Sequence, residues 1–408
     1  MSRVVVWVAG VLAFSISPPA QSLVQSFDPL GVTHPFGSTF LNRLFAPAGR
    51  YDSVWYIQIA QHGYHSVGSN TGSQAHAFFP LYPLLLRVVD LVVGQPLISG
   101  LIVSLLCFVG SLYLLYRLAL LDLSSEAARL AVWLLALFPM SLFFSTVYTE
   151  ALFTVLSLAA VYCARLERWA LAGLLGGLAA GTRSDGVVVL VPLVWIYLWG
   201  PRPGALRADI DWTTPLGLVR RLRPSFAWFA LVPAGLFAYL GYCAASGSKL
   251  TAPLDAASSY WGRGFKGPFS EIWTAFSHAP HDLSLFFSSS DVGLTSWSNT
   301  TGGHYVTNNL IDLLWLIPTV LGLIAAWRYL PKVYFVYALL LIVASASNPS
   351  PLEPMMSYAR YVMPAFPLFM GAAAWLVDRP VPRSVTLVLS AGLLAFFSAL
   401  WGLWAWVA

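Results

Sequence analysis

Asp52 opens a polar stretch, RYDSVWYIQIAQHGYH over 50–65 followed by AHAFFPLYP over 75–83, that lies between two strongly apolar segments. A carboxylate held beside a membrane can take a proton from a hydroxyl presented from the lipid. The residues after it read as a short amphipathic helix lying on the bilayer surface. Val54, Trp55, Ile57, Ile59 and Ala60 would form its apolar face, Gln58, Gln61 and His62 would face water, and Gly63 would stop it. Asp just before a helical run is also a favoured N-cap, so the Asp52 side chain is expected to accept a bond from a backbone N–H, which would fix and aim it.

Other ionisable groups are few. Glu150, in VYTEALF over 147–153, falls at a short turn where Thr149 can cap the next helix and the acid favours its positive end. Arg183 is followed by Asp185 and can pair with it or with Glu150, whereas Arg360 precedes an apolar run along which it can snorkel. His62, His65 and His76 share one loop, and His278, His281 and Asp282 another. Neither set has metal-ligand spacing, because Gly63 breaks the first and Pro280 interrupts the second. No metal or other cofactor is therefore required, although a divalent metal stays compatible with the sequence. Cys107, Cys163 and Cys243 all lie in apolar runs, as buried thiols do.

The elements that must position these groups are membrane helices. Hydrophobic residues make up 58% of the 408 and charged residues 10%, with a mean hydropathy of +0.71, which excludes a soluble surface around the chain. Residues 4–16 form a first helix, with a signal-peptide core as the alternative. Further spans are expected at about 97–118, 128–147, 150–165, 169–183, 186–200, 225–245, 307–327, 332–347, 361–377 and 384–406, giving an all-α polytopic protein of about 11 transmembrane helices. The run 80–93 is too short to cross and reads as interfacial or re-entrant.

Residues 1–408 thus read as a single integral membrane domain with two large loops, 25–96 and 246–306. Lys and Arg place both outside the cytoplasm: 14 of the 22 fall in the alternate set of loops that includes Arg202, Arg207, Arg220, Arg221 and Arg223. They are scattered rather than gathered in a stripe, so the net charge of +5 points to no nucleic-acid partner.

Five segments carry a family resemblance. RYDSVWYIQIAQHGY, AFFPLYPLLLR, VYTEALF, GLAAGTRSDG (177–186) and SYARYVMPAFPLF (357–369) occur in the order found in the PIG-V family of mannosyltransferases, which belongs to the GT-C membrane glycosyltransferases. That family more often has Trp before the loop Asp, where this chain has Tyr51, and the loop 246–306 lies outside the resemblance. The resemblance implies an enzyme that moves mannose from a polyprenyl-phosphate (dolichol-phosphate type) donor to a lipid or glycan acceptor on the non-cytoplasmic face, here expected to be the outer face of the cell membrane. In eukaryotic relatives that acceptor is a GPI precursor.

Carried onto this chain, the resemblance makes Asp52 the general base of an inverting single displacement, which needs no second catalytic carboxylate. Arg360 and then Arg183 would bind the donor phosphate. Arg50, His76, Tyr82, Glu150, Asp185 and Tyr361 would contact substrate. Lys249, Arg263, Lys266 and His304 lie in the unmatched loop and carry less weight. Trp55, Tyr56, Phe78, Phe79 and Tyr82 would anchor the interface or receive a prenyl chain or sugar ring. The rival readings are a lipid or solute transporter or flippase, which needs ionisable groups at mid-bilayer, and a non-catalytic assembly subunit. Asp52, Glu150, Asp185, Asp255, Asp282, Asp291, Asp312 and Glu353 are instead expected outside or near outer helix ends, which favours the enzyme.

Overall fold

A computed structural model describes residues 1–19, 21–66, 72–200, 222–288, 303–351 and 353–407, with side chains left out also at 72 and 303–307. Within these residues the secondary structure is entirely helical. A helix occupies each of the expected spans, but four are long and apolar enough to cross a membrane alone: Pro96–Ala119, Pro224–Ala245, Asn308–Tyr329 and Pro380–Gly402. The others are shorter, among them Ser2–Ile16, Trp169–Ala180, Lys332–Ser345 and Pro367–Leu376. Asp291, Arg202, Arg207, Arg220, Arg221 and the side chain of His304 lie outside the described residues.

The expected straight span 128–147 is broken. Helix Ser125–Leu137 gives way to a 3-10 segment, Pro139–Ser145, at an angle of 78°. Pro139 has no N–H to continue the ladder and pushes Phe138 out of the helical region (φ −53°, ψ 133°). The break frees backbone carbonyls inside an apolar core, and Arg3 satisfies them. Its guanidinium donates to the carbonyls of Ser141 (2.5 Å) and Ala136 (3.2 Å) and to the hydroxyls of Ser141 and Ser145 (2.7 and 2.6 Å). Arg3, one of the 14 cations counted in the alternate loops, is instead a half-buried brace. Arg165, assigned to the same set of loops, is buried, paired with Asp122 at 2.5 Å.

Close helix crossings frame the polar centre. A Cβ on Gly235 would come within 2.0 Å of the Gly177 carbonyl oxygen, and one on Gly186 within 2.3 Å of the Ala179 carbonyl oxygen. Helix Leu231–Ala245 therefore lies almost backbone to backbone on Trp169–Ala180, and the chain turns tightly through Arg183–Asp185 directly after it. Helix Glu150–Arg165 packs between Trp169–Ala180 and Pro96–Ala119, which places its first residue beside that turn.

Two local expectations are corrected. Helix Ser53–His62 does not lie on a surface: Val54 and Tyr56–Ala60 are buried, Gln58 among them, and only its end at Gln61 and His62 is exposed. Gly63 does end it, at a positive φ of 69°. Pro280 does not interrupt its segment, because helix Ser270–Ser288 runs through it. The 80–93 run forms helix Leu81–Val93 with Leu84, Val88, Leu91 and Val92 exposed along one side.

Candidate active site

The chain enters the 53–62 helix through a tight turn, with Ser53 N–H bonded to Arg50 O at 3.0 Å and Tyr51 in the left-handed region (φ 48°). That conformation is costly for tyrosine, and its surroundings hold it there. The ring packs against Phe27, Trp401, Trp404 and Trp406, with centroids 4.9–5.6 Å away, and the hydroxyl donates to the Trp404 carbonyl. The next residue, Asp52, therefore has helical angles (φ −58°, ψ −19°) instead of the extended ones a capping side chain needs, and it makes no cap bond. The expected N-cap role is absent. Asp52 is held by its backbone, whose N–H donates to Tyr148 Oη at 3.1 Å, and its carboxylate is left for other partners.

Its partner is Arg360, whose Nη1 donates to Asp52 Oδ2 at 2.9 Å. The Arg360 Nε lies 3.3 Å from Glu150 Oε1, and Arg183 Nη1 approaches the same oxygen at 3.7 Å. Arg183 also grips Asp185 with two parallel bonds of 3.0 Å, the fork geometry that favours arginine over lysine. Carboxylates and guanidiniums thus alternate from Asp52 through Arg360, Glu150 and Arg183 to Asp185. The Arg360 and Glu150 side chains are 4% and 2% exposed, whereas Asp52 keeps 19% open.

That opening faces a cavity of about 1090 Å³, a volume suited to a ligand larger than a single sugar. Asp52, Glu150, Arg183, Asp185, Arg360 and Tyr361 all line it, from four separate stretches of sequence. Trp55, Tyr56, Phe78 and Phe79 form part of its apolar wall. Three other expected contacts are elsewhere. Arg50 is fully buried between the Phe14 and Trp404 rings and bonds the carbonyls of Gly49 and Gly402, so it ties the first loop to the last helix. Tyr82 is buried, bonded to Gly100 O and Ser104 Oγ at 2.9 and 2.8 Å. His76 stacks on Tyr64 (5.3 Å between centroids) behind the wall.

The second long loop supplies what sequence reasoning weighted least. Asp255, Tyr260, Trp261 and Arg263 line the cavity, and Trp261 packs edge-on against Phe78 and Trp55. Glu353, from the proline-rich segment before Arg360, lines it too. Glu353 and Glu271 are each 1% exposed, and neither has a hydrogen-bond partner on either oxygen. Burial pushes both carboxyls up to about 8, so both are mostly protonated at neutral pH. Among the described residues no cluster of three His, Cys, Asp or Glu could hold a metal ion. His281 is exposed and lies 3.7 Å from Asp282, which bonds Asn309 instead.

Long apolar helices around a buried ionic cluster that opens to a large cavity define a multi-pass membrane protein with a polar reaction or binding chamber. Residues 1–198 match the family model described as Mannosyltransferase (PIG-V). The chain is 30% identical over 342 residues to GPI alpha-1,6-mannosyltransferase 2 of Rattus norvegicus, covering 78% of this chain and 63% of that protein. With the protein of the same name from Mus musculus the identity is 29% over 316 residues, covering 72% and 60%. The chain is thus similar to this PIG-V-like family, and it spans rather less than two thirds of the length of these relatives. Among solved structures it is similar to the archaeal oligosaccharyltransferase AglB from Archaeoglobus fulgidus, at a TM-score of 0.45 and 13% identity over 98% of this chain and 56% of that one. That likeness is too slight to add to the argument.

Proposed function

We propose that the protein is a GT-C mannosyltransferase that moves mannose from a polyprenyl-phosphate donor to an acceptor hydroxyl on the non-cytoplasmic side of the membrane. The observation that carries this reading is the Asp52 carboxylate, uncommitted to helix capping, open to the cavity and 2.9 Å from a buried arginine.

In the reaction, Asp52 accepts the proton of the acceptor O–H as that oxygen bonds to the anomeric carbon. The bond from that carbon to the donor phosphate oxygen breaks, and its electron pair leaves with the phosphate, inverting the centre. Arg360 orients the Asp52 carboxylate beforehand and, with Arg183, offers guanidinium donors to the charge that grows on the departing phosphate. Asp185 and Glu150 hold the two guanidiniums in place, so little reorganisation accompanies the charge shift. The aromatic wall of Trp55, Phe78 and Phe79 would receive the first isoprene units or a sugar face.

The test is to incubate the purified protein in liposomes with labelled polyprenyl-phosphate mannose and a lipid extract of its host as acceptor. Label should move to a new lipid or glycan product. Movement of the donor across the bilayer with no new labelled product would favour the flippase reading instead.

A further inference from the structure

Three guanidiniums converge on one tyrosine. The Cζ atoms of Arg183, Arg360 and Arg263 lie 4.6, 4.8 and 5.1 Å from the Tyr361 ring centroid. Arg360 Nη2 and Arg263 Nη1 donate to the same Tyr361 Oη, at 2.9 and 3.1 Å. Two cations aimed at a single phenolic oxygen form a geometry that a phosphate oxygen would fill better. Their commitments differ, however. Arg183 is paired with Asp185 and Glu150, and Arg360 with Asp52 and Glu150. Arg263 makes no ion pair with a carboxylate among the described residues. Its remaining strong contact is the Met356 carbonyl, and its Nε is buried without a hydrogen-bond partner. Its charge reaches Glu271, Glu353 and Asp312, but none of them comes within ion-pair distance of it.

Arg263 reaches the cavity from the long second loop by a specific device. Helix Ala252–Trp261 ends at Gly262 in the left-handed conformation (φ 63°), where an added Cβ would lie 2.6 Å from Pro351 Cδ. That close approach docks the loop on the proline-rich segment, and backbone bonds from Lys266 to Ser347 and from Glu271 to Ala346 hold it there.

We propose that Arg263 is the uncommitted arm of the phosphate site, taking the leaving phosphate of a polyprenyl-phosphate donor between itself and Arg360, and that the Tyr361 hydroxyl holds this position until the donor arrives. The inference rests on the mannosyltransferase reading and adds the residue and the loop that complete its donor site. The docked second loop thus holds Arg263 in place before the donor arrives.

The experiment titrates the purified full-length protein with farnesyl phosphate and, separately, with farnesol, following intrinsic tryptophan fluorescence. Wild type should bind the phosphate more tightly than the alcohol. Arg263→Gln should weaken farnesyl phosphate binding by about ten- to a hundredfold, the range for a charge-assisted hydrogen bond, and leave farnesol binding unchanged. Arg263→Lys, which keeps the charge and is the safer variant for folding, should fall between the two. Farnesyl phosphate affinity within twofold of wild type in either folded variant overturns the proposal, as does a parallel fall in farnesol affinity or a wild type that binds both ligands alike. The two readings fail separately: intact mannosyl transfer with unchanged phosphate affinity in Arg263→Gln removes Arg263 alone. Phosphate binding that depends on Arg263 without any mannosyl transfer keeps the site and removes the proposed reaction.

Discussion

Replacing Arg360 with Gln tests how far the site is one electrostatic unit. Its guanidinium lies 2.9 Å from the Asp52 carboxylate and 3.3 Å from that of Glu150. At an effective dielectric of about 20, either contact amounts to roughly 5 to 6 kcal/mol of Coulomb attraction before desolvation. Desolvating a side chain only 4% exposed consumes much of this, so the pair adds little net stability while intact. Removing the cation is different, because it leaves Glu150 buried and facing only the more distant Arg183. A loss of about 3–5 kcal/mol follows. Glu150→Gln in the same background removes the stranded charge, so the double variant should recover at least ~1 kcal/mol relative to the sum of the single losses. SDS titration in mixed micelles, with tryptophan fluorescence as the signal, reads all four corners of this cycle. A loss below about 1 kcal/mol for Arg360→Gln, or single losses that add to the double within ~0.5 kcal/mol, would refute the reasoning.

Further predictions concern the scaffold. Gly235→Ala should destabilise the protein by about 1–3 kcal/mol or more, because the new methyl meets the Gly177 carbonyl oxygen at 2.0 Å, and the same micelle titration reads it. Arg50→Lys should lower the thermal midpoint, since an ammonium cannot reproduce the stacking between Phe14 and Trp404, while the farnesyl phosphate affinity of the folded protein stays within about twofold of wild type. Glu271 is raised to about 8 by burial, so the folded state holds its proton where the unfolded state, titrating at the usual 4.5, does not. Its contribution should therefore erode stability as pH climbs from about 4.5 to 8, and Glu271→Gln should flatten the midpoint-versus-pH curve in that window. An identical slope in wild type and variant would contradict this assignment.

Much of the site can be read from residue order because its groups sit in short, distinctive segments. Asp52, Glu150, Arg183, Asp185, Arg360 and Tyr361 are far apart in the chain yet share one cavity. What the chain does not display is how the segments meet. The capping role expected of Asp52 depended on extended backbone angles, and the left-handed Tyr51, fixed by tryptophans some 350 residues away, rules those out. Gln58 is polar by type but buried by tertiary packing, which a helical wheel cannot register. Arg263 sits in a loop without apolar periodicity, and only the Gly262–Pro351 contact reveals where it lands. The 78° break after Leu137 had a signal in Phe138-Pro139, although hydropathy alone joins both sides into one span.

The most direct measurement is mannosyl transfer by Asp52→Asn beside wild type, with both proteins shown to be folded and to bind farnesyl phosphate equally. The amide keeps the shape and loses the base, so transfer should fall by about 10²- to 10⁴-fold while donor binding survives. Transfer at the wild-type rate in that variant would contradict the role given to Asp52 and, with it, the account of the site.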